Sequence, residues 1–493
     1  MSLSSYFDAS LRPPPESGDA EEDERDSWDW GEALIDSVAY MIDESNHTSA
    51  RCPFTTREGS PEQLQVTFCL NPPPHVSYFS IAYTSGEPTR FVYEPRILAT
   101  AGNLALICAR HGPGSLGRPK YNFFVYHAPT RRHESPRLGL LPHPEPDLFP
   151  WDKYCYFTQG EVGILRYRTR SHRPPFIITH TTPKNDEYDA YKIATIYTRI
   201  EESGITDYDL FIYDSKTEAW TRDATVFPQE PPRHFSSDRV VTIARTMVWV
   251  DLSQGMILCD LLHAPPQEDK STGEGRPRQL RYIPLPKSVR PLGPHEIPSF
   301  SRDVAVVDGR VKFVALEIDS SCPGRWTAAT WSMSVGDSEF RKDGEVKCAD
   351  IAPSDALDLG SFFVGHPTLS SHCGDILYLM AKASLYALDR ESIVIAVDMK
   401  NMKVGRVAKY TMQRAGCMTF AYMHTTISKY LAPPRDSKGN MKRRGQILLG
   451  SFHKKPHVIT FMSGHGEDQV EGAGDHMYDL PSMSDDEDNM DLG

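Results

Sequence analysis

The apolar residues of this chain fall in short runs broken by Gly, Pro, Asn and Asp, and almost nowhere at the spacing of an amphipathic helix. The densest stretch is Trp249 to Leu262, WVDLSQGMILCDLL, which reads as two strands joined at Ser253-Gln254-Gly255. Met247, Trp249 and Asp251 alternate there with Val248, Val250 and Leu252. Both sets are mostly apolar, so the strand needs cover on both faces. Gly255 is expected to supply the positive φ of a tight turn. Asp251 and Asp260 stand out, because a carboxylate in such surroundings is costly unless backbone N–H groups or a cation satisfy it. Both are expected to anchor the hairpin, with Trp249 filling a gap between sheets.

Other runs extend the pattern. Gln63 to Tyr83 holds two strand-like runs around Pro72-Pro73-Pro74. Pro95 to Ala109 predicts a hairpin turning at Gly102-Asn103, and Val304 to Ile318 another at Asp308-Gly309. Val240 to Ile243, Leu280 to Leu285, Ala328 to Val335, Ile376 to Met380 and Val458 to Met462 add strands, while Trp28 to Asp43 fits either a strand or a short helix. The polar stretches Gln267 to Pro277 and Pro433 to Arg444 are expected as exposed loops.

Two of these segments share a form. YNFFVYHAPT at Tyr121 to Thr130 and LFIYDSKTEAW at Leu210 to Trp220 both read aromatic, aliphatic, Tyr, three residues, Thr, at a spacing of 87 residues, and VIAVDMKN at Val394 to Asn401 is a weaker echo. Each predicts a strand ending in a polar turn, as in a propeller blade of kelch or F-box-associated type. The expected fold class is therefore mainly β, with antiparallel sheets arranged as an irregular β-propeller of roughly six to eight blades.

Charge divides the 493 residues into three parts. Residues 1 to 33 carry ten acidic and two basic residues, and residues 464 to 493 carry ten acidic and none basic. The overall −13 thus leaves the body between them at +5. Segments so acidic and so poor in apolar residues cannot offset their ordering entropy. A disordered acidic leader (1–33), one large β-rich domain (34–463) and a disordered acidic tail (464–493) are expected. The nine cysteines are never closer than 17 residues and form no metal spacing, which suits free thiols in a reducing compartment. The start has no apolar leader core, and no run approaches the ~18 apolar residues of a membrane helix. A cytoplasmic or nuclear location is expected, with no membrane association.

WVDLSQGMILCDLL, followed by LRYIPLP at Leu280 to Pro286 and RDVAVVDGRVKFVALE at Arg302 to Glu317, resembles the plant family catalogued as domain of unknown function 1618, which is expanded in grasses. NHTSA at Asn46 to Ala50, QVTFCLNPPPHVSYF at Gln65 to Phe79, EPRILAT at Glu94 to Thr100 and WTAATWS at Trp326 to Ser332 extend the likeness, over roughly Trp28 to Leu431. Family members commonly carry an aromatic and a basic residue where Ser253 and Gln254 stand. The resemblance implies a plant protein and no assigned activity.

Candidate chemistry is sparse. Gly112 to Gly117, GPGSLG, matches a phosphate-loop spacing but leads into a strand where a helix is needed, so no cofactor is expected. His453 and His457 are kept apart by Pro456, so no metal is expected there. Arg166, Arg168 and Arg170 alternate, with Arg173 close by, and on a strand would share one face. That face is a possible partner-binding surface, for an acidic peptide or nucleic acid, although a charge-protected edge strand is the favoured reading. Ser484 precedes Asp485-Asp486-Glu487 and is a possible phosphorylation site. No nucleophile elbow, Walker loop or HExxH occurs. The leading expectation is an intracellular, non-catalytic protein-interaction module with no catalytic, cofactor or metal residues. The alternatives are a hydrolase with a carboxylate or His site in the propeller channel, and a nucleic-acid binder acting through the arginine strand.

Overall fold

Consecutive apolar runs form strands that pair with their sequence neighbours, and in this computed structural model they build six sheets of four or five strands. The structure describes residues 10–12, 14, 28–55, 61–83, 91–111, 120–130, 133–144, 157–169, 188–200, 206–227, 235–263, 277–319, 321–353, 357–383, 391–411 and 422–433. All belong to a unit spanning Met1–Lys442; a second unit, Arg443–Gly493, lies outside the described residues.

The first blade holds β1 (Ala33–Asp36), β2 (Ala50–Thr55), β3 (Pro61–Cys69) and β4 (Val76–Tyr83). The second holds β5 (Phe91–Ala101), β6 (Leu104–His111), β7 (Lys120–His127) and β8 (Arg137–Leu140). The third holds β9 (Val162–Tyr167), β10 (Ala190–Ile200), β11 (Thr206–Asp214) and β12 (Ala219–Val226). In the fourth, β13 (Arg239–Ile243), β14 (Thr246–Asp251) and β15 (Gly255–Asp260) precede a detour. There the chain adds β16 (Arg278–Gln279) to the outer edge of the third blade before returning as β17 (Arg281–Pro284). A one-turn helix α1 (Pro298–Ser301) leads into β18 (Arg302–Val307), β19 (Arg310–Ile318), β20 (Trp326–Met333) and β21 (Arg341–Lys347). The sixth blade is β22 (Phe363–Leu369), β23 (Ile376–Lys382), β24 (Glu391–Asp398) and β25 (Lys403–Thr411). The chain then gives β26 (Tyr422–Thr425) and a last turn, α2 (Ser428–Leu431).

The strand β26 does not start a seventh blade. It pairs antiparallel with β1, Leu34 opposite His424, while β1 pairs parallel with β4 through Leu34 and Val76. The first blade is thus completed from both ends of the described chain. Six apolar clusters each draw on two neighbouring blades, and the last, with Leu34, Val76, Tyr378, Val394 and Tyr422, joins the sixth blade to the first. Among the described residues the result is a closed six-bladed β-propeller, in which every sheet is covered on both faces.

The strand-turn echo has a structural cause. The segments at Tyr121, Leu210 and Val394 are the third strands of their blades, β7, β11 and β24. In two of them the strand ends on an Asp that caps the outgoing turn: Asp214 accepts from Lys216 N at 3.0 Å and Asp398 from Asn401 N at 2.9 Å. Trp28 to Asp43 contains the strand β1 and no helix. The Asp308-Gly309 turn forms with φ of 48° and 71°, the paired left-handed geometry of a tight hairpin. The GPGSLG segment, Val458 to Met462, His453, His457, and all but the end residues of the loops expected at Gln267 to Pro277 and Pro433 to Arg444 lie outside the described residues. So do most of the acidic leader and the whole acidic tail, including Ser484.

Candidate functional site

The innermost strands β26, β5, β9, β13, β18 and β22 surround a channel of about 360 Å³. Its polar lining includes Gln159, Arg166, Arg239, Asp303, Ser371 and His424. Asp303 is buried, accepts from Leu369 N at 3.2 Å and lies 3.4 Å from Arg239 Nε. Burial pushes its carboxyl pKa up, against the pull of Arg239. These two charges therefore join the fourth, fifth and sixth blades rather than face an open site.

Behind the channel wall Glu32, just before β1, is 6% exposed. Its Oε1 accepts from Ser370 Oγ at 2.7 Å and from Tyr378 OH at 2.9 Å, and its Oε2 from His372 N at 3.2 Å and His424 Nε2 at 2.8 Å. Burial alone would raise this carboxyl, but His424, through hydrogen bond and charge, together with Ser370 and Tyr378, outweighs it and holds the pKa down at about 2. Ser371 Oγ lies 3.1 Å from the same His424 Nε2. An ionised carboxylate only accepts, so the proton on Nε2 is committed to Glu32 and that nitrogen has no lone pair with which to activate Ser371. The Ser-His-Glu constellation is thus a structural clasp. Among the described residues no group of three or more His, Cys, Asp or Glu could hold a metal ion.

One end of the channel is built differently. Arg166, near the end of β9, donates from Nη1 to Asn103 Oδ1 at 3.1 Å and to Tyr430 OH at 3.0 Å. Its guanidinium carbon stands 4.5 Å from the ring centre of Tyr188 and 5.7 Å from that of Tyr430. Asn103 belongs to the second blade, Tyr188 to the third, and Tyr430 to α2 after the closing strand. All three side chains are half-buried. The strand β9 ends at Tyr167, so of the described arginines singled out in the sequence Arg166 lies on the strand and Arg168 does not. Arg168 is exposed beyond the strand, while Arg170 and Arg173 lie outside the described residues. The strand is an edge, but the edge facing the channel.

The residues singled out around Trp249 sit elsewhere, between blades. Met247 and Trp249 pack toward the third blade and Val248 and Val250 toward the fifth. Trp249 is fully buried, and its Nε1 donates to Glu161 O at 3.0 Å. Asp251, 3% exposed, accepts from Ser253 N at 2.8 Å, Gln254 N at 3.0 Å and Ser236 N at 3.1 Å. Asp260 is half-exposed, accepts from Leu262 N and His263 N at 2.9 Å, and pairs with Arg245 at 3.3 Å. Nearby Asp238 caps Leu252 N at 2.8 Å, and burial pushes its carboxyl up to about 6, with Asp251 adding to the shift. These carboxylates close turns.

The role expected of Gly255 is corrected: its φ is not positive, because the Asp251 side chain caps the turn without a left-handed residue. What requires glycine is closeness, since a Cβ there would stand 2.5 Å from Ile283 O and 2.7 Å from Tyr282 OH. Gly255→Ala is expected to cost about 1–3 kcal/mol by overpacking. The check is the denaturation midpoint at constant m value; an unchanged midpoint would contradict the close approach.

Glu32 and His424, which organise the ring closure, were not singled out in the sequence. They stand 392 positions apart with no local motif. Tyr430 escaped notice for the same reason, being brought to Arg166 by closure of the ring, whereas Tyr188 reaches it through the pairing of β9 with β10 inside the third blade.

A search of curated proteins finds no match to the chain. Among solved structures, an unknown-function protein from Dyadobacter fermentans is 12% identical over 71% of this chain and 94% of its own, at a TM-score of 0.30. The β-propeller domain of the Trilobed protease from Pyrococcus furiosus is 9% identical over 62% and 69%, at 0.26. An exo-inulinase from Aspergillus awamori is 10% identical over 65% and 64%, also at 0.26. The strand pairing and the central channel define the propeller. The family model described as Protein of unknown function (DUF1618) matches residues 249–378, from the buried Trp249 to the Tyr378 that donates to Glu32. That segment, which supplies most of the fourth and fifth blades and the start of the sixth, is what the chain shares with the DUF1618 family model.

Proposed function

We propose that this protein is a non-catalytic interaction module, acting in the cytoplasm or nucleus, that docks a protein partner over the channel mouth at Arg166, Tyr188 and Tyr430. One observation carries the reading: a guanidinium held between two half-buried tyrosines contributed by different parts of the ring. Tyr and Arg are the residue types that most often anchor protein interfaces, and here they sit together on a rigid scaffold. The other polar groups at the channel support it indirectly, since Arg239 is paired with Asp303 across two blades and His424 is bound to Glu32 behind the wall.

The contact of Ser371 with His424 favours a second reading, a hydrolase in the channel, which the shared ring nitrogen opposes. Affinity purification with the full chain as bait separates them. Tyr430→Ala should strip the co-purifying partner, and Ser371→Ala should leave it in place. Loss of a hydrolytic activity in Ser371→Ala, with partners unaffected by Tyr430→Ala, would reverse the assignment.

A further inference from the structure

We infer that Arg166 is a carboxylate receptor, so that the partner presents an Asp or Glu side chain, or a C-terminal carboxylate, to the channel mouth; this rests on the docking reading above. Arg222, Arg239, Arg278, Arg290 and Arg325 each have an acidic partner within the molecule. Arg166 has none among the described residues, although it lines the channel. Its Nη1 is fixed by two neutral acceptors, Asn103 Oδ1 and Tyr430 OH, and the tyrosine rings lie against it. Nη2 and Nε remain as a preset pair of donors, the arrangement that a planar carboxylate accepts two bonds from.

The position is built for this guanidinium. Gly102, in the β5–β6 turn with φ of 56°, faces it so closely that a Cβ would run into the guanidinium carbon and both terminal nitrogens. Acidic peptide is favoured over nucleic acid because a phosphate backbone is held by several cations at once. Here the second channel arginine, Arg239, is already paired with Asp303.

The test is fluorescence anisotropy of a labelled hexaglutamate peptide with the full-length protein, beside hexaglutamine and a hexauridylate RNA at two salt concentrations. Hexaglutamate should bind and hexaglutamine should not. Arg166→Lys, which keeps the charge and loses the fork, should weaken hexaglutamate at least about tenfold with an unchanged near-UV circular dichroism spectrum. Gly102→Ala, which displaces the guanidinium without removing it, should weaken it as well. Hexauridylate binding that is tighter and falls steeply with salt would overturn the inference in favour of nucleic acid. Hexaglutamate binding that is absent, or indifferent to Arg166→Lys, would overturn it too. If Tyr430→Ala still strips the protein partner in that case, the docking reading survives and only the carboxylate assignment falls.

Discussion

Truncating Trp249 to Ala should cost the folded protein about 3 to 5 kcal/mol, the range for deleting a large aromatic from a packed core. The indole has no exposed surface and spans the gap between the third and fourth blades, against Leu165, Ala194, Leu210 and Ile257. Its removal also takes one of two donors from Glu161 O, a carbonyl at the foot of the channel strand β9 that keeps the Thr195 hydroxyl. Equilibrium denaturation of the full chain reads the loss as a lower midpoint. A Trp249→Ala protein of wild-type stability that no longer binds its partner would make the hairpin a recognition surface instead.

Glu32→Ala should be of similar size, about 3 to 5 kcal/mol, because it leaves His424, Ser370, Tyr378 and the His372 N–H without their shared acceptor. The lesion falls where the two ends of the described chain meet, so the closing strand β26 should loosen first. Hydrogen exchange would show it as lost protection at Tyr422 to Thr425 ahead of the other blades. The same carboxylate gives a pH signature. Its pKa is 4.5 as a free group and about 2 in the fold, so its contribution is fully present above pH 4.5 and disappears as pH falls from there through about 2. The shift corresponds to roughly 3 kcal/mol. In Glu32→Gln that part of the acid dependence should be gone; an unaltered acid limb would show that Glu32 does not hold the closure.

Much of this fold was legible in the sequence because its signals are local. Asp308-Gly309 and Gly102 mark hairpins through their left-handed backbone, and WVDLSQGMILCDLL reads as covered on both faces because both of its alternating sets are mostly apolar. The recurring third strand was visible for a physical reason, the Asp that ends β11 and β24 and caps the next turn. The number of blades was harder to read. The chain leaves the fourth blade to lay β16 on the third before completing its own sheet, which destroys any even spacing. The proposed docking site was the least legible part. Arg166 drew attention as one of an alternating set, yet its neighbours in the structure are Asn103, Tyr188 and Tyr430, not Arg168. Positions 264 residues apart are joined there by ring closure alone.

The most direct measurement of the central claim is hydrogen exchange on the full-length protein with and without its principal co-purifying protein. Docking at the channel mouth predicts protection gained at Gly102 to Asn103, at Tyr188 to Asp189 and at Ser428 to Leu431, with the outer strands β21 and β25 unchanged. Protection confined to those outer strands, with the mouth exchanging as in the free protein, would contradict it.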